Sequence, residues 1–378
     1  MADKKKILEV KDLSITFKTS GGDLNAIRGV SFELHKGETL AIVGESGSGK
    51  SVTVKAIMGI MSENQRVNGG EINFTFEENG QEVTRNLLTY SKKRMISEIC
   101  GQKIAMVFQD PMTSLNPVMS IGKQIAEGPR KHLGLVPTVT IGKQVSEMFR
   151  KHKGMSRREA YERSIELLDQ VGIPRPRECM KEYPHQFSGG MRQRVVIAIA
   201  LACNPDILIC DEPTTALDVT IQAKILELIQ ALQQKLNFGV IYITHDLGVV
   251  AKVADNVAVM YAGKIVEWGT AHEIYYDPHH PYTWGLMSAM PDMEMEGDTL
   301  YTIPGTPPNL LQPVPGDAFA LRNQYALQID YEQEPPVFQL TDTHYVCSWL
   351  EHPSAPHVDM PRQLAERIAR MKRGANAR

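Results

Sequence analysis

The sequence predicts an α/β fold in which a sheet core is interrupted by a helical insert and followed by a loop-rich C-terminal unit. Three observations carry this prediction. Short apolar runs of strand character cover residues 7–17 and 30–43 and return at 207–210 and 240–244. Helical periodicity dominates from about Pro111 to Ala202, and proline and glycine crowd the chain from about His272 onward.

The elements follow in order. Gly21-Gly22 and Lys36-Gly37 break the first apolar runs as turns between strands do. After Ser51 the pattern turns helical. Residues 62–82 are polar around a strand-like run at 72–76, and a further strand-like run covers 104–108. Residues 158–171 are a clear helical stretch of the insert. Beyond His272, Pro278, Pro281, Pro304-Gly305, Pro307-Pro308, Pro313 and Pro315-Gly316 mark a separate unit, and helical periodicity returns only near the end.

Bulk properties limit what such a fold could do. With 378 residues, 42% hydrophobic and 22% charged, the chain can bury a substantial core and hold two or three folded units. The longest uninterrupted apolar stretch, residues 195–203, is nine residues long, about half of the ~20 that a membrane helix needs. No span is expected. Met1-Ala2-Asp3-Lys4-Lys5-Lys6 leads into a strand pattern and not into a secretory core, so the chain is expected to stay in the cytosol. Cysteines at 100, 179, 203, 210 and 347 have an odd count and no CxxC spacing, and read as reduced, mostly buried thiols. A net charge of −3 argues against a nucleic-acid partner, because coating phosphates would need a broad basic surface.

Chemistry is concentrated in two places. Gly44-Glu45-Ser46-Gly47-Ser48-Gly49-Lys50-Ser51 matches GxxxxGK[ST], follows the apolar strand 39–43 and opens a helix at Val52, the context that a phosphate loop requires. Its glycines let backbone N–H groups converge on phosphates at a helix N-terminus, Lys50 reaches the β- and γ-phosphates, and Ser51 can ligate Mg²⁺. Residues 44–52 are therefore the expected ATP-binding set. The second place is Ile207-Leu-Ile-Cys-Asp211-Glu212, an apolar run ending in two carboxylates at the strand tip where α/β ligand sites lie. Asp211 is placed to hold Mg²⁺ through water, and Glu212 to polarise the attacking water as general base.

Phe187-Ser188-Gly189-Gly190-Met191-Arg192-Gln193, 19 residues ahead of Ile207 counted from Ser188, resembles the signature motif of ATP-binding-cassette ATPases. The resemblance implies a P-loop NTPase core, a mixed sheet with a RecA-like subdomain, over residues 1–270. A helical subdomain at about 112–202 and an extension at 271–378 complete the implied organisation. It further implies that Ser188, Gly189, Gly190 and Gln193 meet ATP bound by a partner cassette. Gln109 resembles the Q-loop glutamine that contacts Mg²⁺ or the water, and Ala216-Leu217-Asp218 the D-loop that crosses the dimer interface. His245 resembles the switch histidine on the γ-phosphate, and Phe17 fits the aromatic residue that stacks on adenine or, equally, a core position.

Four segments narrow the resemblance. Phe108-Gln-Asp-Pro-Met-Thr-Ser-Leu-Asn-Pro117 and Asp211-Glu-Pro-Thr-Thr-Ala-Leu-Asp-Val-Thr220 are shared with neighbouring importers, including those for nickel. His280-Pro-Tyr-Thr283 and Ile303-Pro-Gly-Thr-Pro-Pro308 are similar to the D-type ATPase of dipeptide and oligopeptide importers, and carry most of the assignment. The implied assembly is a heterodimer with a homologous F-type ATPase subunit, two transmembrane permease subunits and an extracellular peptide-binding protein. The implied location is the cytoplasmic face of the cell membrane, as a peripheral subunit. ATP hydrolysis would then drive peptide uptake. A nickel or other small-solute importer is the alternative within transport. A soluble cassette ATPase acting on ribosomes or DNA is the distant one, since the sequence has one phosphate loop, no sustained heptads and no zinc spacing.

One departure stands out. Many members of the branch carry four cysteines suited to an iron–sulfur cluster, where this chain has Asp317, Asn323, Asp330 and only Cys347. Hard or weak ligands replace the required thiolates, so no cluster is expected. Two further features invite alternatives. Residues 121–134 reappear as 141–154, which reads as a duplication lengthening a surface segment or as a reshaped contact with a membrane partner; Gly128-Pro129 breaks the first copy. Leu364, Ile368 and Met371 share one face of a basic terminal helix, which is either solvated or suited to anionic lipid.

Overall fold

The computed structural model describes residues 5–78, 80–108, 139–153, 155–213, 218–290 and 302–376. Gln109, Ala216, Leu217 and the first copy of the repeat lie outside these residues. The described chain forms two compact units, one from Tyr90–Ile241 and the other from Lys6–Thr89 with Tyr242–Arg378.

The second of these units contains two sheets. The first is antiparallel, in the order Gly22–His35, Lys6–Thr19, Gln65–Glu78, Gln81–Asn86. In its strand Lys6–Thr19 the most deeply buried residues are Leu8 and Val10, then Leu13 and Ile15, a change from even to odd numbers, with Ile7 and Thr16 also buried toward the two ends. A bulge at Asp12, with φ of 45°, absorbs the extra residue, and the Asp12 N–H donates to Ser31 Oγ at 2.9 Å. The segment read as polar between 62 and 82 holds the strand Gln65–Glu78 and the start of Gln81–Asn86. Its polarity goes with exposure: much of Gln65–Glu78 is exposed although that strand is paired on both sides, and Gln81–Asn86 is an edge strand.

The other sheet runs Phe338–Gln339, Tyr345–Val346, Lys264–Thr270, Asn256–Tyr261, Thr39–Val43. It is mixed: Thr39–Val43 pairs with Asn256–Tyr261 in parallel, whereas the other neighbours are antiparallel. All five residues of Thr39–Val43 are buried, as an unbroken apolar run predicts. Asn256–Tyr261 turns into Lys264–Thr270 through Ala262 and Gly263, both at positive φ (44° and 82°), the geometry of a tight hairpin.

The C-terminal residues wrap this sheet through a buried polar knot. Glu267, 1% exposed, accepts the backbone N–H groups of His279 at 2.7 Å and His280 at 3.2 Å, and pairs with His344 Nε2 at 2.9 Å. His280 then caps the helix Pro281–Ser288, its Nδ1 accepting from the Tyr282 N–H at 3.0 Å. In the terminal helix Arg362–Asn376, Leu364 and Ile368 are buried against protein, and Arg367 donates to the carbonyls of Met287 and Met290. That burial takes the two residues away from any lipid surface and corrects the lipid alternative.

The unit Tyr90–Ile241 pairs Ile104–Val107 with Ile207–Asp211 in parallel and surrounds them with helices. Arg157–Gln170 starts at a capping box formed by Ser156 and Glu159. Gly189–Leu201 is buried at every position from Val195 onward. The second copy of the repeat forms the helix Ile141–Lys153, with Ile141, Val145, Met148 and Phe149 buried along one face. Its Gly142 packs so near Met180 that a Cβ would stand 2.5 Å from the Met180 carbonyl. This copy is thus a packed helix and not only added surface. The strand Gly239–Thr244, buried throughout, carries the chain from this unit into the other.

His279 makes the extension sensitive to pH. Its hydrogen bond to Glu351 raises the imidazole from 6.5 to about 9, against the opposing effect of burial. The folded state therefore binds that proton more tightly than the unfolded chain. The resulting stability is complete below pH 6.5 and is lost as pH climbs through about 9. The unfolding midpoint of the full chain is expected to fall over that interval, and His279→Asn to flatten the fall. An unchanged slope in the variant would remove His279 as its source.

Candidate functional site

The loop between the strand Thr39–Val43 and the helix Lys50–Ile57 is shaped by two glycines that packing leaves no choice about. Gly44 has φ of 154°, and a Cβ there would stand 2.1 Å from the Met260 carbonyl oxygen. Gly49, at φ of 107°, would meet Ile27 Cδ1 at 2.7 Å. Gly47 differs: its φ is 81°, but nothing lies within 4 Å of the Cβ position. Ser46 and Gly47 are exposed, so the loop is closed at both ends and open at its crest. A phosphate chain fits such a crest, where backbone N–H groups can approach it without intervening side chains.

Lys50 is only 5% exposed, and its Nζ donates to the carbonyls of Gly44 and Glu45, each at 2.8 Å. The ammonium is thereby folded over its own loop. Ser48 is buried, and its carbonyl accepts the Gly263 N–H at 2.9 Å, tying the loop to the hairpin. Ser51 and Val52 are half-buried in the first turn of the helix. Phe17 is half-buried and pairs across its sheet with Leu24 and Gln65.

Glu45 shows what sequence reasoning missed. Its backbone N–H donates to the Tyr282 hydroxyl at 2.8 Å, and its carboxylate receives Arg322 Nη1 at 2.7 Å and Nη2 at 2.9 Å. Arg322 is buried, and its Nε donates to the Pro304 carbonyl at 2.7 Å and Nη1 to the Tyr261 hydroxyl at 3.2 Å. The rings of Tyr261, Tyr282 and Phe319 pack beside it in tilted and edge-to-face contacts, with centroids 4.6–5.3 Å apart. The His280-Pro-Tyr-Thr283 and Ile303-Pro304 motifs were the available signal, since both supply atoms to this arrangement. His245, in the same unit, is exposed just past Thr244, where the Asp246 N–H donates to Thr244 Oγ1 at 3.0 Å.

The remaining site residues belong to the unit Tyr90–Ile241. Asp211, 5% exposed, ends the buried strand Ile207–Asp211, and burial pushes the preceding Cys210 thiol far up. Glu212 is half-buried and held at φ of 46°, a left-handed conformation that costs a non-glycine residue about 1 kcal/mol or more. Ser188 and Gly189 are exposed at the start of the helix Gly189–Leu201, with Ser188 Oγ accepting the Met191 N–H at 3.4 Å. Gly190 lets the helix Val219–Leu236 approach, because a Cβ would lie 2.8 Å from Ile221 Cγ2. Gln193 is buried, and its Nε2 has no partner among the described residues. Asp218 caps Val219–Leu236 by accepting the Ile221 N–H at 2.9 Å.

The positions that replace cluster cysteines are occupied locally. Asp317, Asn323 and Asp330 accept the N–H groups of Phe319, Tyr325 and Leu327, and Cys347 Sγ faces the Ile265 carbonyl at 3.6 Å. Burial raises the Asp317 carboxyl to about 6 and the Cys347 thiol to about 11. This donor set does not fit an iron–sulfur cluster.

Comparison with known proteins places these features in context. The family described as "ABC transporter" matches residues 27–215, and that described as "Oligopeptide/dipeptide transporter, C-terminal region" matches residues 266–329. The chain is 55% identical to the oligopeptide transport ATP-binding protein OppD of Bacillus subtilis, over 98% of this chain and 95% of that protein. It is 52% identical to the dipeptide transport ATP-binding protein DppD of Lactococcus lactis, over 98% and 97%. Among solved structures, cbiO1 from Clostridium perfringens, part of the ABC transporter complex cbiONQ, aligns at 27% identity with a TM-score of 0.55, over 72% of this chain and 92% of that one. A dimeric post-hydrolysis state of the ATP-binding cassette MJ0796 shares the fold at 24% identity and a TM-score of 0.55, over 70% and 99%.

The two classes of loop glycine should separate on substitution. Gly44→Ala drives a methyl into backbone and is expected to abolish nucleotide binding and lower the melting temperature. Gly47→Ala has room, so it should stay folded and lose only the roughly 1 kcal/mol of a left-handed alanine. Calorimetry with and without ATP checks both, and equal effects would contradict the packing argument.

Proposed function

This chain belongs to the ABC transporter family, as an ATP-binding subunit of the oligopeptide and dipeptide importers, and from that premise we propose how its residues share the work. It hydrolyses ATP, and the reaction is coupled to peptide uptake through membrane permease subunits. The observation that carries the reading is the phosphate loop, closed at Gly44 and Gly49, open at Ser46 and Gly47, and backed by a buried Lys50. The match of residues 266–329 to the peptide-transporter C-terminal region favours peptides over nickel or another small solute as cargo.

In this proposal residues 44–52 bind the triphosphate, with Lys50 on the β- and γ-phosphates and Phe17 against the adenine. Glu212 takes the proton of the attacking water, and His245 holds the γ-phosphate. Ser188, Gly189, Gly190 and Gln193 face ATP bound by a partner cassette, with Ala216, Leu217 and Asp218 crossing between cassettes. Ser51, Gln109 and Asp211 are the proposed Mg²⁺ ligands; the ion would neutralise charge on the phosphates. Because phosphoryl transfer leaves little covalent work to the protein, rate comes from positioning and from charge stabilisation.

The wider assembly is proposed as a heterodimer with an F-type ATPase on the cytoplasmic face of the membrane. Two permease subunits and an extracellular peptide-binding protein complete it, with no nucleic-acid partner. Among the described residues no helix is long and apolar enough to cross a membrane. The division into a nucleotide-binding domain, 1–270, with its helical subdomain at about 112–202, and an extension, 271–378, belongs to the same proposal.

Glu212→Gln is expected to stop steady-state ATP hydrolysis while leaving ATP binding in place; turnover at the parental rate would refute the general-base role. Protein purified without oxygen should contain no stoichiometric iron or sulfide. About four of each per chain would refute the assignment of Asp317, Asn323 and Asp330 as non-ligands.

A further inference from the structure

We propose that Arg322 and Tyr282, both far along the chain in the C-terminal extension, are positioning residues of the ATPase: they hold Glu45, and through it the phosphate loop, in the shape that admits a triphosphate. The proposal rests on ATP occupying that loop and adds the part of the chain that sets its shape.

All three polar parts of Glu45 are committed. The N–H is fixed by Tyr282, the carbonyl by Lys50 and the carboxylate by the two terminal nitrogens of Arg322. The Arg322 pair spans 277 residues of sequence, so it exists only when the extension is docked. Neither partner can follow Glu45 if the loop moves. Arg322 is pinned by the Pro304 carbonyl and the Tyr261 hydroxyl, and the Tyr282 ring is fully buried between Tyr261 and Phe319.

Charge gives the arrangement its function. Glu45 stands directly before the exposed crest of Ser46 and Gly47, where an anionic phosphate chain enters. An unpaired carboxylate there would repel the substrate. The guanidinium neutralises it in a two-pronged geometry that lysine cannot reproduce. The Glu45 carbonyl also receives Lys50, so the backbone that Tyr282 and Arg322 immobilise orients the ammonium as well. ATP affinity is therefore expected to depend on the extension, although neither residue touches a phosphate.

The test measures kcat and KM for ATP in the reconstituted transporter, and Mg-ATP binding by the purified full chain. Arg322→Met should raise KM about ten-fold, the factor that 1.4 kcal/mol represents, with kcat within about two-fold of the parent. Adding Glu45→Gln to Arg322→Met should recover most of that loss by removing the exposed charge, and Arg322→Lys should fall between. Tyr282→Phe keeps the ring and its packing, so it stays folded, and should raise KM several-fold. A staple of purely structural importance would lower the melting temperature without moving KM and would not be rescued by Glu45→Gln; either result overturns the proposal. Should Arg322→Met fail to fold, Tyr282→Phe and Arg322→Lys decide, and unchanged KM in both rejects it. A parent protein that neither binds nor hydrolyses ATP would instead reject the reading of the loop as a nucleotide site.

Discussion

The backbone at Gly44 passes the Met260 carbonyl with no space for a side chain, and the shape of the glycine-rich loop depends on that close approach. It arises from the parallel pairing of Thr39–Val43 with Asn256–Tyr261, which sets Val43, the last residue of its strand, beside Val259 and so brings Gly44 to Met260. There one chain turns into the phosphate loop and the other into the Ala262-Gly263 hairpin, whose Gly263 N–H holds the Ser48 carbonyl. A glycine-rich loop left alone would lose much conformational entropy on gripping phosphates. Here the sheet has already fixed it, so less ordering remains for the substrate to impose.

How much of this was legible in the sequence follows the distance over which each feature is determined. The placement of residues 44–51 between a strand and a helix, and of Asp211 and Glu212 at a strand tip, follows from local patterns and could be read directly. The strands Lys6–Thr19, Gly22–His35 and Thr39–Val43 showed through their apolar runs and the glycines between them. Gln81–Asn86 did not, because an edge strand with most positions exposed has no alternation to betray it. Asn256–Tyr261 is so uniformly buried that its apolar run has no period to separate strand from helix. The Asp12 bulge is hidden for the opposite reason: it changes which positions are buried without changing composition. The contact between Arg322 and Glu45 lay beyond reach because no local pattern joins residues that far apart.

Two sequence features acquired different meanings once their surroundings were known. The copied segment 141–154 is apolar at spacings that suit a surface helix, yet Ile141 and Val145 are fully buried, and Gly142 is needed because Met180 is in contact. The basic terminal helix has the pattern of a solvated or a lipid-binding element. Its buried Leu364 and Ile368, with Arg367 on the carbonyls of Met287 in the last turn of the helix Pro281–Ser288 and of Met290 just beyond it, serve intramolecular docking instead. A cation at those carbonyls also suits the negative end of that helix, whose first turn supplies the Tyr282 hydroxyl. The terminal helix thereby supports the same short helix that reaches the phosphate loop.

The strain at Glu212 follows the same logic in the other unit. A left-handed glutamate persists only where its neighbours leave no alternative, and here both do: Asp211 is buried at the end of a strand without exposed residues, and Pro213 is buried and rigid in φ. A backbone free to relax would return Glu212 to the extended region and swing its carboxylate elsewhere. The fold thus spends stability at two places, the glycine loop and the acid at the strand tip. Each is over-determined by packing from within its own unit. The shape of both places is therefore a property of the buried strands beside them and, at the glycine loop, of Tyr282 and Arg322, more than of their own exposed residues.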